Sequence, residues 1–251
     1  MKMILDEYEY AQRMLKEKRF LDKPMSSLDL NILARYYRWC EDLSGVKLKN
    51  KIIDFCEEST TIYNDISYES KIDYACSLSK KLKLRIPKPV FLTQSEIDIV
   101  KNIDFNENMK KTLFGMLCLS KYFKVTSIKA VRTVNENASD RLYYNRPISD
   151  VLSMMKIRLN KPQRYGLMYD LQHSNLVNVK YNGNYEVLFY DNIGEQKYEI
   201  KYIEDILMYY EIIIKSKENL ALCTKCGRPM FIYNTHKNRQ LIDPVCKCCK
   251  I

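Results

Sequence analysis

Four of the nine cysteines are spaced as two C-x-x-C pairs near the end of the chain, Cys223/Cys226 in "CTKCGRPM" and Cys246/Cys249 in "DPVCKCCKI". Two intervening residues let both thiolates of a pair reach one ion from a tight turn, whose backbone N–H groups can donate to sulfur. Gly227 suits the exit from the first turn, because the chain must leave it with unusual dihedrals. Between the pairs, "MFIYN" and "RQLID" predict two short strands joined by "THKN". A hairpin that brings two C-x-x-C turns together is the arrangement of a structural zinc ribbon. Four thiolates fill a tetrahedral site and leave no position for substrate water. One structural Zn²⁺ is therefore expected on Cys223, Cys226, Cys246 and Cys249. Cys248 competes with Cys249 through a C-x-C alternative, and His236 is expected as an exposed residue of the hairpin tip. A redox role is disfavoured, since no strand-to-helix pattern surrounds either pair.

The second set of chemically capable residues is cationic. Lys156, Arg158, Lys161 and Arg164 lie in and just before "NKPQRYGLMYDLQHSN", and Lys180 lies in the segment that follows. Gln163, Tyr165, Gln172 and Asn175 add side chains able to reach base edges or phosphates. In the tail, Arg228, Lys237 and Arg239 join Lys225, Lys247 and Lys250 against the single acid Asp243. A net charge of +10 favours a polyanionic partner. Nucleic acid, DNA foremost, is the expected one. The rival reading is a protein-interaction factor that binds and inhibits a host or CRISPR-type nucleoprotein complex. Any single one of these cations also fits the plainer reading of a solvated surface.

The elements that must position these residues can be read along the chain. Residues 1–86 predict a bundle of four helices, with stripes such as Leu30, Leu33, Tyr37 and Cys40 at helical spacing. "ARYYRW" is expected to pack in that bundle rather than to stack on bases. "RIPKPVF" is an extended connector, because Pro87 and Pro89 cannot share a helix interior. Beyond it come a short helix with Thr93 and Glu96 in capping-box relation, and a strongly apolar one, "NENMKKTLFGMLCLSKYFKV". Residues 125–146 show no clear pattern. "RPISDVLSMMKI" and "NKPQRYGLMYDLQHSN" are further helices, the latter capped by Asn160 with Pro162 in its first turn. Two strands around an Asn182-Gly183 turn follow, then a long helix, "KYIEDILMYYEIIIKSK". Three helices and a hairpin is the order of a winged helix. The expected class is mainly α with a small β component: a helical bundle at 1–86, a winged-helix-like domain at 87–218 and a zinc ribbon at 219–251.

Several classes are disfavoured. With two histidines, and neither a phosphate-cradling glycine loop, an H-E-x-x-H nor a nucleophile elbow, the chain is not expected to be an enzyme or to take a small-molecule substrate. His173, at a helix end, fits a terminal residue better than a base. The start "MKMILDEYEYAQRMLKEKRF" has no apolar signal core, and the apolar runs are too short to span a bilayer. Cysteines placed in helical patterns, Cys40, Cys56, Cys76 and Cys118, fit a reducing and hence cytoplasmic compartment, where thiols pack as small hydrophobes.

A lysine- and tyrosine-rich helical body followed by "CTKCGRPM", a basic hairpin and a second cysteine pair resembles uncharacterised proteins of Firmicutes phages and mobile elements. The specific overlap is the ribbon alone. The resemblance implies a virus- or element-encoded protein acting on nucleic acid or on a host nucleic-acid machine, and it transfers no functional residue to the body.

Overall fold

The computed structural model describes residues 3–126, 141–180, 184–232 and 244–249. Among them are nine α-helices and seven short strands, so the chain is mainly helical with a small β component. Two compact units meet in sequence at Pro87/Lys88.

In the first unit, α1 (Glu7–Glu17), α2 (Ser27–Cys40), α3 (Gly45–Ser59) and α4 (Asp65–Lys81) share one apolar core. Side chains of Asp6, Ser26 and Asn64 accept from the N–H of Glu9, Asp29 and Ser67, which stops three of these helices at their N-termini. Lys18 ends α1 in the left-handed conformation, its N–H returned to Leu15 and Met14. Ala11, Met14, Leu30, Leu33, Tyr37, Leu48, Ile52, Ile72 and Ala75 fill the interior. One ion pair is also buried there. The Glu7 carboxylate meets Arg35 Nη1 at 2.8 Å and accepts from Arg85 N at 2.8 Å, tying the start of α1 to α2 and to the segment after α4. Cys40 departs from its expected burial: it is the last residue of α2 and is exposed.

The second unit is organised by α6 (Glu107–Thr126), which follows α5 (Gln94–Asn102). Leu113, Phe114, Met116, Leu117, Cys118, Leu119 and Tyr122 are all buried, as expected of a helix apolar on every side. Against it runs α7 (Ile148–Met154), followed by α8 (Lys161–His173). Approach of α6 to α7 depends on Gly115, where a Cβ would stand 2.8 Å from Val151 Cγ1 and 2.9 Å from Met155 Cγ. The expected capping box forms at Thr93/Glu96, and the expected cap at Asn160 proves to be a capping box as well, closed by Gln163.

Strands were the harder elements to foresee. The connector after Pro89 becomes β1 (Val90–Thr93), and the patternless stretch after residue 125 contains β2 (Leu142–Tyr144). The hairpin strands are β3 (Val177–Val179) and β4 (Tyr185–Val187); the Asn182-Gly183 turn expected between them lies outside the described residues. All of β2, β3 and β4 form one antiparallel sheet in the order β2-β4-β3. β5 (Gln196–Ile200) pairs antiparallel with β1 across a long sequence separation. The long helix expected after it is shorter: a 3-10 turn at Ile203–Asp205 precedes α9 (Ile206–Ile213). Finally β6 (Leu220–Leu222) pairs with β7 (Pro229–Phe231), and the tail belongs to the same compact unit as residues 88–125.

Candidate functional site

The metal centre is built on the turn between β6 and β7. Register Leu222↔Pro229 closes the two strands immediately outside the first cysteine pair. Cys223 N donates to Arg228 O at 2.9 Å, and Gly227 N donates to Cys223 O at 2.7 Å. Gly227 has φ +77°, so the knuckle needs a residue without a Cβ at that point. The second pair is brought in by Thr224 N donating to Pro244 O at 3.0 Å, and by Cys246 N donating to Cys223 Sγ at 3.3 Å. As a result the four Sγ atoms of Cys223, Cys226, Cys246 and Cys249 all lie within 4.8 Å of one another, close enough to hold one metal ion. Cys226 and Cys246 are 3.6 Å apart at sulfur. Tetrahedral bonds of about 2.3 Å to zinc require sulfurs roughly 3.8 Å apart, so the donors fit that ion. Cys248 stands outside the group with an exposed thiol, which selects Cys249 over the C-x-C alternative.

Electrostatics within the cluster are uneven. The Cys246 N–H, with those of Cys226 and Lys225, lowers the Cys223 thiol to about 6. An N–H from Arg228 lowers Cys226. Hydrogen bonds to the Cys246 and Cys226 sulfurs push Cys249 up to about 12. Four crowded thiols cannot all ionise unaided, and a divalent ion at their centre removes the opposition. The knuckle is seated on the rest of the unit by Tyr209, whose hydroxyl donates to Gly227 O at 3.0 Å.

The cations singled out in the sequence separate into two groups. Lys156, Arg158 and Lys161 are exposed around the α7–α8 turn and the start of α8, and Arg164 follows one turn on. Among the described residues no carboxylate is paired with any of the four. Lys180 and Arg228, by contrast, are engaged. Lys180 Nζ lies 2.7 Å from Glu186, and Arg228 Nε lies 2.8 Å from Asp205 with its guanidinium 5.0 Å from the Tyr202 ring. Arg228 therefore holds the knuckle against the turn before α9. Gln163 and Arg164 are committed to local bonds as well: Gln163 Oε1 accepts from Asn160 N, and Arg164 Nε donates to Leu159 O. Lys237, Arg239 and His236 lie outside the described residues.

One feature of α8 was missed in the sequence. Only Leu167 and Leu171 are buried, and on the opposite side Tyr165, Tyr169 and His173 form a line at i, i+4, i+8. Tyr165 is 66% and Tyr169 63% exposed. The Tyr169 and His173 rings are stacked, with centroids 4.0 Å apart, and His173 Nδ1 lies 2.8 Å from Tyr169 O. The signal available was the four-residue spacing out of phase with the leucines. A second missed feature is a buried pair: Lys121 Nζ contacts Glu96 at 2.6 Å, so the capping carboxylate of α5 also anchors α6.

No helix among the described residues is long and apolar enough to cross a membrane. The chain matches no protein-family model, no curated protein and no solved structure.

Proposed function

We propose that this chain is a nucleic-acid-binding protein with a winged-helix-like domain within residues 87–218 and a zinc ribbon at 219–251. The observation that carries the reading is the order α6-β2-α7-α8-β3-β4 combined with the sheet order β2-β4-β3. In a winged helix the first strand sits between the first and second helices, and pairs with the last strand beside the hairpin. Helix α8 then stands where a recognition helix stands. Its solvent side is almost bare of packing, and Lys156, Arg158 and Lys161, which meet no carboxylate among the described residues, surround its approach. Cations of this kind bind phosphates and set orientation without reading sequence.

In the tail, four thiolates with no open position support a structural Zn²⁺ in preference to a catalytic one. A segment this small gains its stability from metal, since it encloses too little apolar surface of its own.

Binding through phosphates must weaken steeply as salt rises, because each neutralised phosphate releases counterions. Fluorescence anisotropy of labelled DNA and RNA at several salt concentrations tests this. Replacing Lys161 and Arg164 together by alanine is expected to lower affinity across sequences, and to flatten the salt slope by about one to two units. A zinc-loaded, folded protein that binds neither DNA nor RNA at low salt overturns the proposal, and leaves the protein-interaction reading in front.

A further inference from the structure

We propose that the outward line of α8, formed by Tyr165, Tyr169 and His173, is a stacking platform for unpaired nucleobases. The nucleic acid this protein takes then contains a single-stranded stretch. This rests on the nucleic-acid reading above and narrows it to a substrate class.

Three observations carry the inference. First, the two tyrosines are the exposed large hydrophobic side chains of α8 and sit opposite its only buried residues, Leu167 and Leu171. Gly166 between them leaves open space where a Cβ would stand, with nothing but its own helix and chain neighbours beside it among the described residues. Second, the platform is preorganised. Tyr169 and His173 are already stacked at 4.0 Å, and the His173 ring is fixed by its contact with the Tyr169 carbonyl. A base arriving on this pair meets ordered rings and costs little further side-chain freedom. Third, the surroundings are cationic, with Asp170 the only acid of α8 and no carboxylate paired with Lys156, Arg158 or Lys161 among the described residues. That combination of aromatic rings and free cations suits a strand of bases and phosphates.

Duplex readout is less well served by the same face. Gln163 and Arg164, the polar side chains at the start of α8, are held by Asn160 N and Leu159 O. In a duplex each base face is already covered by its neighbour, so an exposed ring can stack on a base only where the strand is opened.

The test uses one mixed-sequence DNA oligonucleotide, presented as a single strand and as a duplex, with the full-length zinc-loaded protein. Thermal melting confirms that each variant is folded. Wild type is expected to bind the single strand more tightly than the duplex. The pair Tyr165→Ala and Tyr169→Ala together should weaken single-strand binding by about 10-fold or more while changing duplex binding by less than about 2-fold. Tyr165→Phe with Tyr169→Phe should retain single-strand binding, because stacking needs the ring and not the hydroxyl. Duplex preference, equal losses on both forms, or loss in the phenylalanine variant overturns the platform while leaving nucleic-acid binding intact. Failure of the folded, zinc-loaded wild type to bind either form removes both proposals.

Discussion

Helix α2 carries Arg35-Tyr36-Tyr37-Arg38, and α8 carries Arg164-Tyr165 with Tyr169 one turn further on. The vocabulary is nearly the same, yet the two helices spend it differently. Tyr37 is 2% exposed within the core, whereas Tyr169 is open to water and stacked on His173. Arg35 closes a buried ion pair with Glu7, whereas Arg164 donates to the carbonyl of Leu159 and meets no carboxylate among the described residues. What separates them is the set of neighbours. Leu30, Leu33 and Ala34 widen the apolar stripe of α2 until Tyr37 falls inside it, though Tyr36 is only half-buried and Trp39, expected to pack, is exposed; Leu167 and Leu171 leave α8 a stripe one residue wide. Arginine and tyrosine together are thus no mark of a binding surface until the apolar phase of the helix is known.

The comparison breaks most visibly in the tail, which resembles neither helix in how it is held. Metal analysis is expected to find about one zinc per chain, and chelation to unfold the tail, because zinc binding and folding there are coupled on the order of 10 kcal/mol. Circular dichroism should show the helical signal of the first unit surviving that treatment. Cys223→Ser and Cys226→Ser should each lose the metal and Cys248→Ser should keep it. Zinc lost from Cys248→Ser and retained in Cys249→Ser would reverse the assignment of the fourth ligand.

Within the helices the sharpest test is a matched pair of truncations. Tyr37→Ala should destabilise the protein by about 3–5 kcal/mol through the cavity it leaves. Tyr169→Ala should stay within about 0.5 kcal/mol of wild type, as surface substitutions do. Denaturant melts of the two variants decide it, and equal costs would mean that α8 is covered in solution.

The arginines give a smaller contrast of the same kind. Arg35→Ala leaves the Glu7 carboxylate buried with only Arg85 nearby, and is expected to cost about 3 kcal/mol. Arg164→Ala should cost less than about 0.5 kcal/mol. Arg35 is consequently no neutral control for a binding experiment, since its loss is felt through folding. A melt in which Arg35→Ala matches wild type would show that Glu7 is already satisfied by Arg85 alone.

Much of the helical framework was legible because its determinants are local. Ser26 with Asp29, Thr93 with Glu96 and Asn160 with Pro162 announce helix starts within one turn, and the structure has all three caps. The two C-x-x-C pairs were legible for the same reason. A four-residue turn can be recognised without knowing what surrounds it, and two such turns at this separation leave few alternatives to a shared ion.

Only the tertiary structure decided the rest, wherever the partner of a residue is remote in the chain. The strands β1 and β5 exist as a pair, Val90 against Ile200, and neither short segment carries a period long enough to declare itself. β2 is likewise defined by β4, more than forty residues on. Charge was the least legible quantity. Arg228 looked like Arg158 in the sequence, but Asp205 neutralises the one and no acid meets the other among the described residues. Spacing determined that four thiols could gather. Which thiols, which arginines and which tyrosines face water was settled by packing, because exposure depends on every neighbour in space and only a few of those are neighbours in sequence.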